Sequence, residues 1–341
     1  MNFSSSFSRP SLVPMRPYLP VLCGLLLLSL LALSAATLCG STGCLRPSAP
    51  ADSVALLLSL RVPRALTAFA VGGALALSGA LMQILLRNPL ADPYVLGLSG
   101  GSAAGALLAM LVALPLGWPL QLVTAPGALL GAGLAMLLLF GLVRQSLRHL
   151  AISPLLSSQR LLLTGVMLAA GFGALISLAL SVAPDAQLRG MVFWLIGDLD
   201  DARLLPLAAL VLLLALLWTL RHAPSLNLLA RGDAFAQLLG VPVLRLRVMS
   251  LCVAAACTAV AVAMAGTIGF VGLVVPHGLR LVIGNEQRLL LPASVLAGGA
   301  ALTLADLLAR TVVAPVQLPV GVITALIGVP CFLWLLSRSR T

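Results

Sequence analysis

Lysine is absent from this 341-residue sequence, and all 20 basic residues are arginine. A Walker A phosphate loop, a pyridoxal Schiff base and a lysine general base each need that side chain. None of the three can reside in this chain, so any ATP that drives it is held by another subunit. Charge of either sign is scarce: 9% of residues are charged, where a soluble domain carries about 25%. Aromatic residues make up 4%. The three histidines, His149, His222 and His277, lie in different regions, and no Cys/His cluster has metal-ligand spacing. No set of polar catalysts gathers at one depth, as a membrane enzyme would require. The reading is therefore of a chain without a catalytic or metal site of its own.

Apolar residues fill the space these absences leave. They form 61% of the chain, which excludes a soluble enzyme and a disordered chain alike. A membrane-crossing helix needs about 20 apolar residues. Ten such segments can be read: Val21–Leu38, Ala65–Leu86, Val95–Leu114, Leu120–Val143, Leu161–Val182, Leu204–Leu220, Val248–Ala265, Ile268–Ile283, Leu289–Leu308 and Pro319–Leu336. The expectation is an all-α, polytopic membrane protein of ten transmembrane helices in a single domain over 1–341. Small residues punctuate the second segment (Gly72, Gly73, Ala76, Gly79, Ala80) and the fourth (Gly127, Gly131, Ala135). Such residues let helices approach closely, which predicts central positions for both segments. The eighth is short and carries Pro276, His277 and Arg280, which suggests a broken or re-entrant helix buried in protein.

The net charge of +11 would suit nucleic acid in a soluble protein. In a chain this apolar it bears instead on membrane sidedness, and no nucleic-acid partner is expected. With the N-terminus in the cytoplasm, fourteen arginines fall inside and six outside, which supports that orientation with both termini inside. Residues 1–20 are then a cytoplasmic tail and 221–247 a cytoplasmic loop. Ser34-Ala35-Ala36 after the first apolar run resembles a signal-peptidase site. That run has 18 residues, against about 7–15 for a signal core, so retention as the first span is expected. In the long loop, Leu228, Leu229, Phe235, Leu238 and Leu239 suggest one or two short amphipathic helices broken at Gly232. Such a surface serves lipid or a protein partner equally. Cys39 and Cys44 bracket CGSTGC in the first outside loop, where an oxidising compartment would permit a disulfide.

Several motifs occur in a fixed order: Arg61-Val62-Pro63-Arg64, Ser78-Gly79-Ala80-Leu81-Met82-Gln83, Arg87-Asn88-Pro89-Leu90-Ala91-Asp92-Pro93 and Leu96-Gly97-Leu98-Ser99-Gly100-Gly101. Gly232-Asp233-x-x-Ala236-x-x-Leu239-Gly240 follows, then Gly266-Thr267-Ile268-Gly269-Phe270-Val271-Gly272 leading to Pro276-His277-x-x-Arg280. Ala305-Asp306-x-x-x-Arg310 and Leu318-Pro319-Val320-Gly321-Val322 come last. From about Arg61 onward this set resembles the FecCD-type permeases of bacterial ABC importers for ferric siderophores, haem or vitamin B12. The resemblance implies a homodimer or pseudodimer of ten-helix subunits in the inner membrane and two ATPase subunits that bind ATP and magnesium. It also implies a periplasmic binding protein that delivers substrate, and no cofactor held by this chain.

The resemblance further implies roles for single residues. Arg61, Arg64 and Arg310 would meet acidic residues of the binding protein. Snorkelling to lipid headgroups is the plain alternative, and for Arg310 an i,i+4 pair with Asp306. Leu229, Gly232, Asp233, Ala236, Leu239 and Gly240 fall in the coupling helices that seat in the ATPase. Asn88 and Leu90, with Ser157 and Ser158 in a turn before the fifth span, would form the cytoplasmic gate. Arg189, Phe193 and Trp194 would line the outer mouth of the pathway, with a surface pair between Arg189 and Asp185 as the alternative. Asp198, Asp200 and Asp201 depart from a purely basic docking face. The stretch around Arg189 points to haem as cargo, with vitamin B12 or a ferric siderophore as alternatives. An ion-coupled secondary transporter would want several membrane acids and two similar halves, and neither is visible.

Overall fold

A computed structural model describes residues 18–41, 43–44, 54–55, 57–148 and 154–338. The chain is built from twelve α-helices among the described residues. They are α1 (Tyr18–Leu38), α2 (Val62–Leu86), α3 (Leu98–Ala113), α4 (Leu120–Arg148), α5 (Pro154–Val182), α6 (Asp185–Ile196), α7 (Leu205–Arg231), α8 (Asp233–Leu238), α9 (Val243–Ala265), α10 (Val271–Ile283), α11 (Gln287–Thr311) and α12 (Val320–Arg338). Seven are long and apolar enough to cross a membrane, while α3, α10 and α12 are shorter apolar helices. These ten coincide with the ten apolar segments. The two remaining helices, α6 and α8, are short and lie at opposite ends of the bundle.

The helix α2 is the axis. It starts where Pro63 supplies a pre-set φ in the first turn. It ends at Arg87, whose backbone takes the left-handed conformation (φ 47°) and returns its N–H to Ile84 O. Of its membrane-length window, 94% is buried. Its partner α11 runs antiparallel, so close that a Cβ at Gly72 would lie 2.3 Å from Gly298 O. On another flank Ser78 Oγ lies 2.8 Å from Thr258 Oγ1 and donates to Ala254 O at 2.9 Å, tying α2 to α9. Backbone contact plus short polar bridges is how helices associate where lipid removes the hydrophobic drive.

Glycines seat α4 as well, since a Cβ at Gly131 would lie 2.1 Å from Gly101 O of α3. Its other face is open, with Leu130 and Leu137 exposed. The expected central position holds for α2, while α4 is intermediate: it packs on α3, α5 and α9, with 44% of its membrane-length window buried. The inner helices are α2, α11 and α9.

The hydrophilic stretch 221–247 is more helical than expected. The helix α7 continues past its apolar part to Arg231, and α9 begins at Val243. Residues 221–231 contain no glycine, and Pro224 sits inside the helix, so the helix leaves the apolar zone intact. The true break is at Gly232, whose φ of 133° favours glycine.

The chain between α2 and α3 folds back along α2. Pro93 packs at Gly272, beside Leu75 in the middle of α2. A 3-10 turn follows over Pro93–Leu96, capped by Asp92, whose carboxylate accepts the Tyr94 N–H at 2.9 Å. The Tyr94 hydroxyl donates to Ile268 O at 2.6 Å and accepts from Ile268 N at 2.9 Å. This pins the returning chain to the break between α9 and α10. The short α10 thus starts at mid-depth, as its proline-containing sequence suggested.

Candidate functional site

Three groups of functional side chains lie at the ends of this bundle. At the end carrying the N-terminus of α2, Cys39 and Cys44 form a disulfide across a two-stranded hairpin, β1 (Cys39–Gly40) and β2 (Gly43–Cys44). Arg61 donates to Leu38 O at 2.8 Å and Gly43 O at 3.2 Å, and Arg310 donates to Ala36 O at 3.2 Å. Both side chains are buried beneath the hairpin. Asp306, wholly buried, pairs with Arg310 at 2.9 Å, the i,i+4 contact, and with Arg64 at 3.0 Å. Arg64 also meets the exposed carboxylate of Asp200 and donates to Gln317 Oε1 at 3.0 Å.

The three arginines expected to share an outward face are thus divided. Arg61 and Arg310 turn inward to backbone carbonyls and Asp306. Arg64 reaches toward the surface, where Asp200 covers it. Asp200 and Gln317 were not singled out as its partners in the sequence, because they lie 136 and 253 residues away.

Beside this cluster a cavity of about 750 Å³ opens between α3, α4, α6, α7 and α9, with Pro63 of α2 at its edge. Met110, Met191, Met264 and Trp194 form its apolar wall, and Asp198, Asp200, Asp201 and Arg203 line its polar part. Arg203 Nε bonds the Asp201 carboxylate at 2.8 Å and holds that carboxyl below its ordinary range. Burial, with the neighbouring Asp200 charge, pushes Asp198 up.

The end of α6 is stitched into the bundle: Asp198 N–H meets Ala265 O at 3.0 Å, Val320 N–H meets Gly197 O at 3.2 Å, and Thr267 Oγ1 donates to Leu195 O at 2.6 Å. The helix divides the expected trio. Trp194 faces the cavity. Arg189 lies on another, exposed face, its guanidinium carbon 5.4 Å from the centre of the Phe193 ring. Among the described residues Arg189 makes no ion pair with Asp185.

At the opposite end, Gly232 turns the chain from α7 into α8. Leu229, Asp233 and Ala236 face inward and are buried, and Asp233 pairs with Arg247 of α9 at 2.9 Å. Phe235, Leu238 and Leu239 point outward, with Leu238 85% exposed. Gly240 closes α8 at a φ of 78°. The expected coupling residues therefore form one unit with two faces, a buried anchor and a protruding apolar knob.

Nearby, Asn88 Oδ1 accepts the Leu90 N–H at 2.9 Å and Asn88 O accepts from Ala91 N at 3.0 Å, a tight turn that leaves Leu90 39% exposed. Ser157 and Ser158 do not lie in a turn before the fifth span: their backbone belongs to α5, because no breaker separates Pro154 from the apolar run. Their side chains, like His149, lie outside the described residues. His277 is buried on α10, and no group of three His, Cys, Asp or Glu able to hold a metal occurs among the described residues.

Known proteins match this chain in sequence and in fold. The model of the FecCD transport family matches residues 21–338. The hemin transport system permease protein HmuU of Yersinia pestis is 40% identical over 287 residues, 83% of each chain. The vitamin B12 import system permease protein BtuC of Klebsiella pneumoniae is 40% identical over 282 residues, 82% of each. A chain of a metal-chelate type ABC transporter, solved in an inward-facing conformation, superposes with a TM-score of 0.80 at 31% identity, covering 94% of this chain and 99% of that one.

Proposed function

Given that the chain belongs to the FecCD transport family of ABC-importer permeases, we propose that its cargo is haem. The observation that supports this reading is the exposed Arg189–Phe193 pair on α6. An aromatic ring holding a guanidinium offers a flat apolar surface and a fork for carboxylate, the two features of a porphyrin with propionates. Vitamin B12 is the second reading, because relatives that carry it match at the same identity as the hemin relative.

In the proposed assembly two copies meet along the pathway, so that two Arg189 side chains flank one axis. The hairpin end faces the periplasm and both termini the cytoplasm. Arg64 is the docking arginine for a binding protein, while Arg61 and Arg310 hold the face beneath it. Phe235, Leu238 and Leu239 seat in one of two ATPase subunits, which hold ATP and magnesium. Asn88 and Leu90 form the cytoplasmic gate. Alternating access follows when closure of the ATPases moves α8 and, through it, the gate.

The test is ATPase stimulation in proteoliposomes by binding protein loaded with haem, cobalamin or a ferric siderophore. Haem-loaded protein is expected to stimulate most. A response confined to cobalamin would transfer the assignment to the second reading.

A further inference from the structure

We propose that Arg87 and Arg280 form a phosphate-binding site beside α8, filled by the headgroup of an anionic phospholipid or by free phosphate. The two arginines line a pocket of about 230 Å³ with Gln83, Ile84, Pro89, Ala230 and Asn285.

Neither arginine has an acidic partner among the described ion pairs. Of the neighbouring acids, Asp233 pairs with Arg247 through Oδ1 while its Oδ2 is buried without a partner, and Glu286 accepts from Asn227 Nδ2 at 2.6 Å and from Arg288 N at 3.3 Å. The lining itself is therefore cationic, with two arginines and no acidic side chain.

Its donors are oriented rather than loose. Gln83 spends its amide on Leu273 O at 3.1 Å and its carbonyl on Arg280 Nη1 at 2.9 Å, which fixes the Arg280 guanidinium. The Nε of Arg280 is buried and has no hydrogen-bond partner. Asn285 Oδ1 accepts from Gln287 Nε2 at 3.0 Å, so its amide N–H groups are the end left over. Arg87 occupies a left-handed helix-end position where glycine is the usual choice. Its Nη1 comes within 3.6 Å of where a Cβ of Gly232 would stand.

Donors from three side chains on different walls suit the several oxygens of phosphate better than the two of a carboxylate. Basic pockets between helices at a membrane surface bind lipid headgroups in this way. The pocket touches the break between α7 and α8, so an occupant would brace the start of α8. This inference stands on the pocket alone and does not depend on the cargo.

The full-length permease in zwitterionic phosphatidylcholine nanodiscs provides the test, with thermal melting against inorganic phosphate and with native mass spectrometry after phosphatidylglycerol is added. Phosphate is expected to raise the melting temperature, and Arg87→Gln, on an exposed side chain that leaves the fold intact, to weaken that response about tenfold. Arg280→Gln should do the same, and Arg87→Lys should restore part of it. Retained phosphatidylglycerol without a phosphate response assigns the site to lipid, and a phosphate response without lipid retention assigns it to the free ion. Binding of neither, or binding unchanged in Arg87→Gln, overturns the proposal. Protection of Arg87 only on addition of the ATPase would also overturn it, because the occupant would then be a protein carboxylate.

Discussion

Replacing Asp306 with asparagine removes one negative charge from the buried cluster without changing its shape. The carboxylate is wholly buried, with Arg310 at 2.9 Å and Arg64 at 3.0 Å. Removing one partner of a buried pair costs about 3–5 kcal/mol, because the charge left behind is uncompensated. Arg64 keeps Asp200 and Gln317, and Arg310 keeps Ala36 O, which places the expected loss near the lower bound, at about 3 kcal/mol. Denaturant titration of the detergent-solubilised permease measures it. Asp201→Asn is the control, since the Asp201–Arg203 pair is solvent-exposed and belongs to the class worth about 1 kcal/mol or less. Adding Arg310→Met to Asp306→Asn should recover part of the loss, because a neutral pair lacks the stranded charge. A loss for Asp306→Asn as small as that of the control, or no recovery in the double variant, would refute the reasoning.

Gly79→Ala should destabilise by at least about 1–3 kcal/mol, because its Cβ would stand 1.8 Å from Gly272 O and force α2 from α10; the same titration reads it, and a neutral result would contradict the packing. Leu238→Asp puts a charge on the exposed knob of α8. It should abolish co-purification of the ATPase while the melting temperature of the permease alone stays within a degree or so, as surface substitutions usually allow. Arg189→Ala should slow haem uptake into proteoliposomes by about tenfold at most, the effect of one exposed contact, with binding-protein affinity unchanged; loss of docking together with uptake would place Arg189 on the docking face instead.

The ten apolar helices were legible because lipid imposes length and composition on each span independently of its neighbours. The break at Gly232 was legible for a similar reason, since a glycine inside an amphipathic run marks a local backbone change. Which way a side chain turns was not. Arg61 and Arg64 are three residues apart, yet one is buried under the hairpin and the other reaches Asp200. That choice depends on carbonyls at Leu38 and Gly43 and on a carboxylate 136 residues distant. Likewise, Phe235 and Ala236 are adjacent, and only packing against α7 and α9 decides that Ala236 anchors while Phe235 protrudes. The return of residues 87–97 into the bundle was hidden because Tyr94 finds its partner at Ile268.

The disulfide hairpin bears on the order in which the chain is assembled. The main packing partner of α1 is α11, reached through Ser29 Oγ to Leu296 O at 3.1 Å and through Arg310 to Ala36 O. During synthesis α1 emerges first and α11 near the end, and at about 5–20 residues per second the wait is on the order of ten seconds or more. Arg61, by contrast, follows α1 at once, and its bonds to Leu38 O and Gly43 O need only the hairpin and the start of α2. The hairpin therefore works as a temporary mooring. It keeps α1 beside α2 as a nascent helical pair while six further spans are made, and α11 then slides into a seat already laid out by its two neighbours.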